Sequence, residues 1–179
     1  GARTTESQVH RELASGLSCP VGFKNATDGG LQVAVDAIGS AINPHHFLSV
    51  TKTGKSAIFS TTGNKDCHII LRGGKEPNYS SKSIDEAARL LEESGLEARI
   101  MVDCSHANSF KQHDKQIDVG RSVAEQISVG DMRIFGVMIE SHLVAGRQNA
   151  KPGDDLTYGQ SITDACMGWE QTEKLLRLL

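Results

Sequence analysis

Four polar residues stand where short apolar runs end. Lys24 closes PVGFK, Arg72 closes HIILR, Glu140 closes RIFGVMIE, and His106 follows RIMVD after a short loop. Side chains of these types bind anions, coordinate metal ions or move protons. Arg72 and His106 are 34 residues apart, and so are His106 and Glu140. That interval is close to the roughly 30 residues or more of one strand–helix–strand unit. Lys24 and Arg72 are 48 residues apart, which leaves room for an insertion. In a (β/α) barrel, groups at the carboxyl ends of the strands converge on one pocket. Arg3, Lys24 and Arg72 would then form a cationic cradle for a carboxylate and a phosphate, with both arginines able to bind bidentately. His106, Glu140 and Asp164 would offer one nitrogen and two carboxylates to a divalent metal. Each residue also has an ordinary reading: a solvated rim cation, a hydrogen-bonded loop histidine, a helix-capping carboxylate. The regular spacing favours chemistry, and His10, His45, His46, His68, His113 and His142, which lack that placement, are assigned none.

Positioning such groups requires parallel strands joined by helices, and the patterning supplies both. Strands are expected over Pro20 to Lys24, His68 to Arg72, Arg99 to Asp103 and Arg133 to Glu140, each mostly apolar, as strands covered on both faces are. Helices are expected over Asp28 to Ile42, Ser83 to Ser94, Lys115 to Val129 and Gly168 to Leu179, where apolar residues recur at three-to-four spacing. Ser83 with Glu86 has the form of a capping box. Phe47 to Thr51 and Ser56 to Thr61 flank Lys-Thr-Gly-Lys and predict a β-hairpin, inserted over about 46–62. No linker divides the chain, so residues 1–179 are read as part of one α/β domain.

Composition narrows the class of partner. The chain has 19 basic and 22 acidic residues, well mixed, which argues against a nucleic-acid or anionic-membrane surface. No apolar stretch is long enough to span a bilayer, and the first residues carry no signal core. Cys19, Cys67, Cys104 and Cys166 are widely spaced and form no CxxC pair, so reduced thiols in a cytoplasmic protein are expected. The first residue is not Met, which suggests a fragment.

The segments GARTTESQ, PVGFKNATDGG, HIILRGGKEPNY, MVDCSHANS, GVMIESHL and YGQSITDACMGWE together resemble the class I 3-deoxy-D-arabino-heptulosonate-7-phosphate (DAHP) synthases of microbes, which open the shikimate pathway. The resemblance spans essentially the whole chain. It implies a (β/α)8 TIM barrel, represented here by its C-terminal half, about strands five to eight, with the hairpin inserted. It carries phosphoenolpyruvate binding over to Arg3, Lys24 and Arg72, with the Ala2 amide as a further phosphate donor. It carries metal ligation over to His106, Glu140 and Asp164, and places Asp164 near the erythrose 4-phosphate hydroxyls. The metal is Mn, Fe, Zn or Co. Lys24 and His106 would be the catalytic pair. An aromatic effector pocket is implied at Leu17, Ser18, Phe47, Ser49 and Phe59. The serine of FLSV points to phenylalanine, while packing of the two phenylalanines on the barrel is the plainer alternative. The family also suggests a homo-oligomer.

Two departures matter. Ala26 stands where the family usually has glycine, which raises the question whether the turn beside Lys24 needs positive φ. The family's metal-binding cysteine, its Lys-Pro-Arg-Thr loop and another phosphoenolpyruvate arginine would all precede Gly1. These residues alone are therefore expected to have an open metal site and little activity. The expected reaction joins phosphoenolpyruvate to erythrose 4-phosphate with release of phosphate. Competing readings are a non-catalytic half-barrel that binds phosphorylated ligands or an aromatic amino acid, and a metal-dependent hydrolase.

Overall fold

The run CHIIL becomes a strand buried along its whole length, β4 (Cys67–Leu71). On one side it pairs in parallel with β1 (Val21–Lys24), and on the other with β5 (Ile100–Asp103). A last parallel strand, β6 (Ile134–Met138), gives the sheet order β1-β4-β5-β6. The computed structural model of the chain describes residues 2–179, and side chains from residue 4 onward.

Helices α3 (Gln32–Ala41), α4 (Ser81–Glu93) and α5 (Gln116–Ser128) follow β1, the hairpin-preceded β4, and β5 in the chain, which makes this an α/β fold on a parallel sheet. Strand residues alternate between faces. Phe23, Ile69, Leu71, Ile100 and Val102 join the buried core with the helices. Lys24, His68, Ile70, Met101 and Asp103 occupy the alternate positions and so the other face. In α4 the buried residues are Ile84, Ala87, Ala88 and Leu91, the spacing of one helical stripe. Truncating Leu91, which is fully buried, to alanine would cost about 2–5 kcal/mol.

The hairpin comprises β2 (His46–Val50) and β3 (Ser56–Ser60), antiparallel, with Phe47 opposite Phe59. Several expectations need adjustment. The cap of α4 is Ser80, whose hydroxyl accepts the Ser83 N–H at 3.3 Å; Ser83 lies inside the first turn and is no cap. Helix α3 begins later than expected, because Asp28 Oδ1 takes the Gly30 N–H at 2.9 Å and closes a turn there. Gly29 supplies the positive φ of that turn, 102°, and Ala26 is not among the positive-φ residues, so alanine at that place is no obstacle. Elements that the patterning did not suggest are α1 (Ala2–Thr5), α2 (Gln8–Ser15) and a small parallel pair, β7 (Val144–Arg147) with β8 (Gln160–Ser161). Helix α6 (Trp169–Leu176) packs Leu175 against Gly120 of α5, where a side chain larger than hydrogen would collide. Among the described residues no helix is long and apolar enough to cross a membrane.

Candidate metal and anion site

Three asparagines knit the loops that leave the strand ends. Asn25, fully buried just after β1, donates to the Gly73 carbonyl at 3.0 Å and accepts the Arg72 N–H at 2.8 Å. Asn78 Oδ1 accepts the Gly73 N–H at 2.7 Å, and the Asn78 N–H donates to Asn108 Oδ1 at 2.8 Å. Asn108 in turn donates to the carbonyls of Leu71 at 3.0 Å and Asp103 at 2.8 Å. The loops after β1, β4 and β5 are thus tied together by groups that would be costly to leave unpaired. Gly73 makes the close approach: its φ is +74°, and a Cβ there would lie 2.8 Å from the Asn108 nitrogen.

On this support sits a cavity of about 240 Å³ lined by, among others, Arg72, His106, Lys111, Glu140 and Asp164. Ligand atoms of His106, Glu140 and Asp164 all lie within 4.8 Å of one another. Atoms bound to one first-row ion at about 2.0–2.2 Å stand no more than roughly 4.4 Å apart, so a small adjustment brings this set onto a single ion. One nitrogen and two carboxylates are suitable donors for Mn, Fe, Zn or Co. His106 has a positive φ of 53°, uncommon for a residue with a side chain. Glu140 is fixed through its backbone: Gln116 Oε1 accepts its N–H at 2.9 Å, and Gln116 Nε2 donates to its carbonyl at 3.1 Å. Burial raises the Glu140 carboxyl pKa; His106 opposes this, while Asp164 and Asp103 add to it. A bound cation would offset exactly that accumulation of negative charge.

Asp103 was not singled out from the sequence, and it joins the two groups that were. Its carboxylate is fully buried. Oδ2 accepts from Lys24 Nζ at 2.8 Å and lies 2.8 Å from His106 Nδ1, while Oδ1 accepts from the Ser105 amide at 2.9 Å and from its hydroxyl. Burial alone would push this carboxyl up, but hydrogen bonds from His106, Lys24 and Ser105 hold it well below the usual carboxylate range. A carboxylate only accepts, so neutral His106 carries its proton on Nδ1 and leaves Nε2 bare. Nε2 faces Glu140 Oε1 at 3.6 Å. The signal available in the sequence was Asp103 as the one charged residue closing an otherwise apolar strand, IMVD.

The structure therefore brings Arg72, His106, Glu140 and Asp164 around one cavity and ties Lys24 to them through Asp103. Lys24 itself lines a neighbouring cavity of about 400 Å³ with Phe23, Ile70 and Met138. The side chains of Ala2 and Arg3 lie outside the described ones. The four cysteines are free, and none belongs to the group that could hold a metal ion. Burial raises the thiol pKa of Cys67 to about 11 and that of Cys104 to about 12, so both are protonated at neutral pH. Of the effector residues, Leu17, Phe47 and Phe59 line a separate cavity of about 330 Å³, and the two rings stack with centroids 6.2 Å apart. Ser18 and Ser49 are not among its lining residues.

Fold and site together define an α/β protein on a parallel sheet whose strand ends present groups able to hold a metal ion beside half-buried cations. The chain belongs to the DAHP synthetase I family, whose model matches residues 1–177. It is 65% identical over 179 residues to the Phe-sensitive phospho-2-dehydro-3-deoxyheptonate aldolase of Escherichia coli, a match that covers all of this chain and 51% of that protein. The phenylalanine-inhibited enzyme of Saccharomyces cerevisiae is 54% identical over 187 residues, covering all of this chain and 50% of that one. The solved phospho-2-dehydro-3-deoxyheptonate aldolase from Francisella tularensis aligns with a TM-score of 0.92 at 57% identity, covering 99% of this chain and 52% of its own. The chain spans about half the length of the relatives it matches. The family expected from the motifs is thus the family found.

Proposed function

We propose that these residues are the second half, about strands five to eight, of a (β/α)8 barrel that condenses phosphoenolpyruvate with erythrose 4-phosphate and releases phosphate, the first step of aromatic amino-acid biosynthesis. The observation that carries this reading is the convergence of Arg72, His106, Glu140 and Asp164 on one cavity, with Lys24 held alongside. His106, Glu140 and Asp164 would hold a divalent metal ion, and such an ion would supply Lewis-acid polarisation of the aldehyde carbonyl. Arg72 and Lys24, with Arg3, hold the carboxylate and phosphate of phosphoenolpyruvate so that its C3 faces that carbonyl. Fixing two reactants in this way supplies much of a rate enhancement. Asp164, the exposed member of the set, is open to the hydroxyls of the aldehyde substrate.

His106→Ala in the complete polypeptide tests the assignment. Loss of bound metal and of erythrose 4-phosphate-dependent phosphoenolpyruvate consumption is expected; normal metal content would sink it. Phosphate release that ignores the aldehyde would favour the hydrolase reading instead. The 179 residues alone are expected to show no turnover.

A second, regulatory reading has its own observation, the cavity lined by Leu17 and the stacked Phe47 and Phe59. Its leucines and stacked rings suit an aromatic side chain while Glu12, Ser60, Thr61 and Thr62 add polar groups, and the names of the Escherichia coli and yeast relatives point to phenylalanine. Phe59→Ala is expected to abolish inhibition by phenylalanine and to spare uninhibited turnover; unchanged inhibition would overturn it.

A further inference from the structure

The reading above gives Lys24 and His106 to different partners, one to phosphoenolpyruvate and one to the metal. In the structure both meet a single oxygen. Asp103 Oδ2 is 2.8 Å from Lys24 Nζ and 2.8 Å from His106 Nδ1. Asp103 is fully buried at the end of β5, and it has no solvent to which it could turn. Its second oxygen is held by the Ser105 amide at 2.9 Å, which fixes the rotation of the carboxylate. Lys24 lies two strands away, at the end of β1, and crosses β4 to reach it. His106, whose φ is 53°, has its Nδ1 within 2.8 Å of both this oxygen and the Ser105 hydroxyl.

We infer that Asp103 is a positioning residue for both halves of the site, aiming His106 Nε2 at the metal and holding the Lys24 ammonium where phosphoenolpyruvate binds. This rests on the proposed function. A carboxylate is required because one oxygen must accept from two donors while the other accepts from the Ser105 amide and hydroxyl. An asparagine replaces one of those acceptors by an NH2 group, which then faces donors wherever it is placed. Outer partners of ligating histidines typically contribute 10–100-fold in metal affinity.

The test uses Asp103→Asn, Lys24→Ala and the double variant in the complete polypeptide, with Mn2+ alone and phosphoenolpyruvate alone titrated calorimetrically into metal-free protein. Asp103→Asn is expected to weaken Mn2+ binding by about 10–100-fold and to weaken phosphoenolpyruvate binding as well. In the Lys24→Ala background it should cost no further phosphoenolpyruvate affinity, because Asp103 acts there through Lys24. Additive losses, which a general loosening of the fold would produce, overturn the inference. So does wild-type affinity for both ligands in Asp103→Asn. Wild-type protein that binds neither ligand would instead overturn the functional reading on which this one stands. A measurement on the unsubstituted protein guards against a variant that fails to fold. At a pH where His106 is neutral, its ring 15N shifts should report the Nδ1–H tautomer, and the Nε2–H tautomer would overturn the assignment.

Discussion

The two ends of the parallel sheet carry charges of the same kinds and use them differently. At the carboxyl end, Lys24, Asp103 and His106 form one contact group around a fully buried carboxylate, and the loops beneath are tied by Asn25, Asn78 and Asn108. At the amino end, Arg99 pairs with Asp66 and Glu97, and Arg133 with Asp85 and Asp131. Most of these side chains are solvent-exposed, and such pairs contribute little, about 0–1 kcal/mol each. The difference teaches where geometry is over-determined. Charges at one end are held in place by buried hydrogen bonds, whereas at the other most face water and only Asp131, bound at both oxygens by Arg133, is largely covered. That division agrees with barrels in general, where the carboxyl end is functional and the amino end stabilising.

The sharpest way to break the comparison is to remove a group from each end. If the proposed function holds, His106→Ala at the carboxyl end is expected to lower turnover of the complete polypeptide by more than about a hundredfold, beyond what loss of an outer partner does. A steady-state assay at saturating Mn2+ checks it, and a loss under tenfold would make the two ends alike. Gly73→Ala comes next. It combines a positive φ with a contact at 2.8 Å to the Asn108 nitrogen, so a loss of about 1–3 kcal/mol in urea unfolding is expected.

A smaller effect belongs to His68 near the amino end, packed edge-on against Phe135 with ring centroids 4.8 Å apart. Burial lowers its pKa from 6.5; the Asp66 backbone opposes this and Arg99 adds to it. The folded state therefore binds its proton less readily than the unfolded chain does. Stability from this group is present above the ordinary value and declines as pH falls through it. His68→Gln should flatten the fall in unfolding free energy as pH drops below the ordinary histidine value of 6.5, and an unchanged slope would refute the burial argument. The smallest change is expected for Arg133→Ala, under about 1 kcal/mol and further reduced by salt. A larger loss in thermal unfolding would show that the amino end is as tightly organised as the other.

How much of this was legible in the sequence depends on whether the signal was local. The runs leading to Lys24, Arg72 and Glu140 were readable as strands because they are mostly apolar, but only CHIIL is buried along its length; β1 is half-exposed, and β6 leaves Phe135 exposed and ends at Met138, before Glu140. Helices α3 to α6 were readable from their stripes, although the starts of α3 and α4 were misplaced and α1 and α2 were missed; for α4, Ser80 and Ser83 are equally good caps by type. The β7–β8 pair was not readable: its strands are short, and their pairings, such as Val144 with Gln160, bring together residues far apart in the chain. Gln116 gave no sign of its role either, because its amide meets Glu140 only after α5 has packed beside β6.

The sequence by itself determined the family, the parallel α/β pattern and the residue types at the strand ends, because periodicity and motif wording are properties of neighbouring residues. Only the tertiary structure decided that Lys24 and His106 share Asp103. Those contacts span 79 and 3 positions of the chain, and a buried carboxylate finds its partners only when separate strands close around it and exclude water.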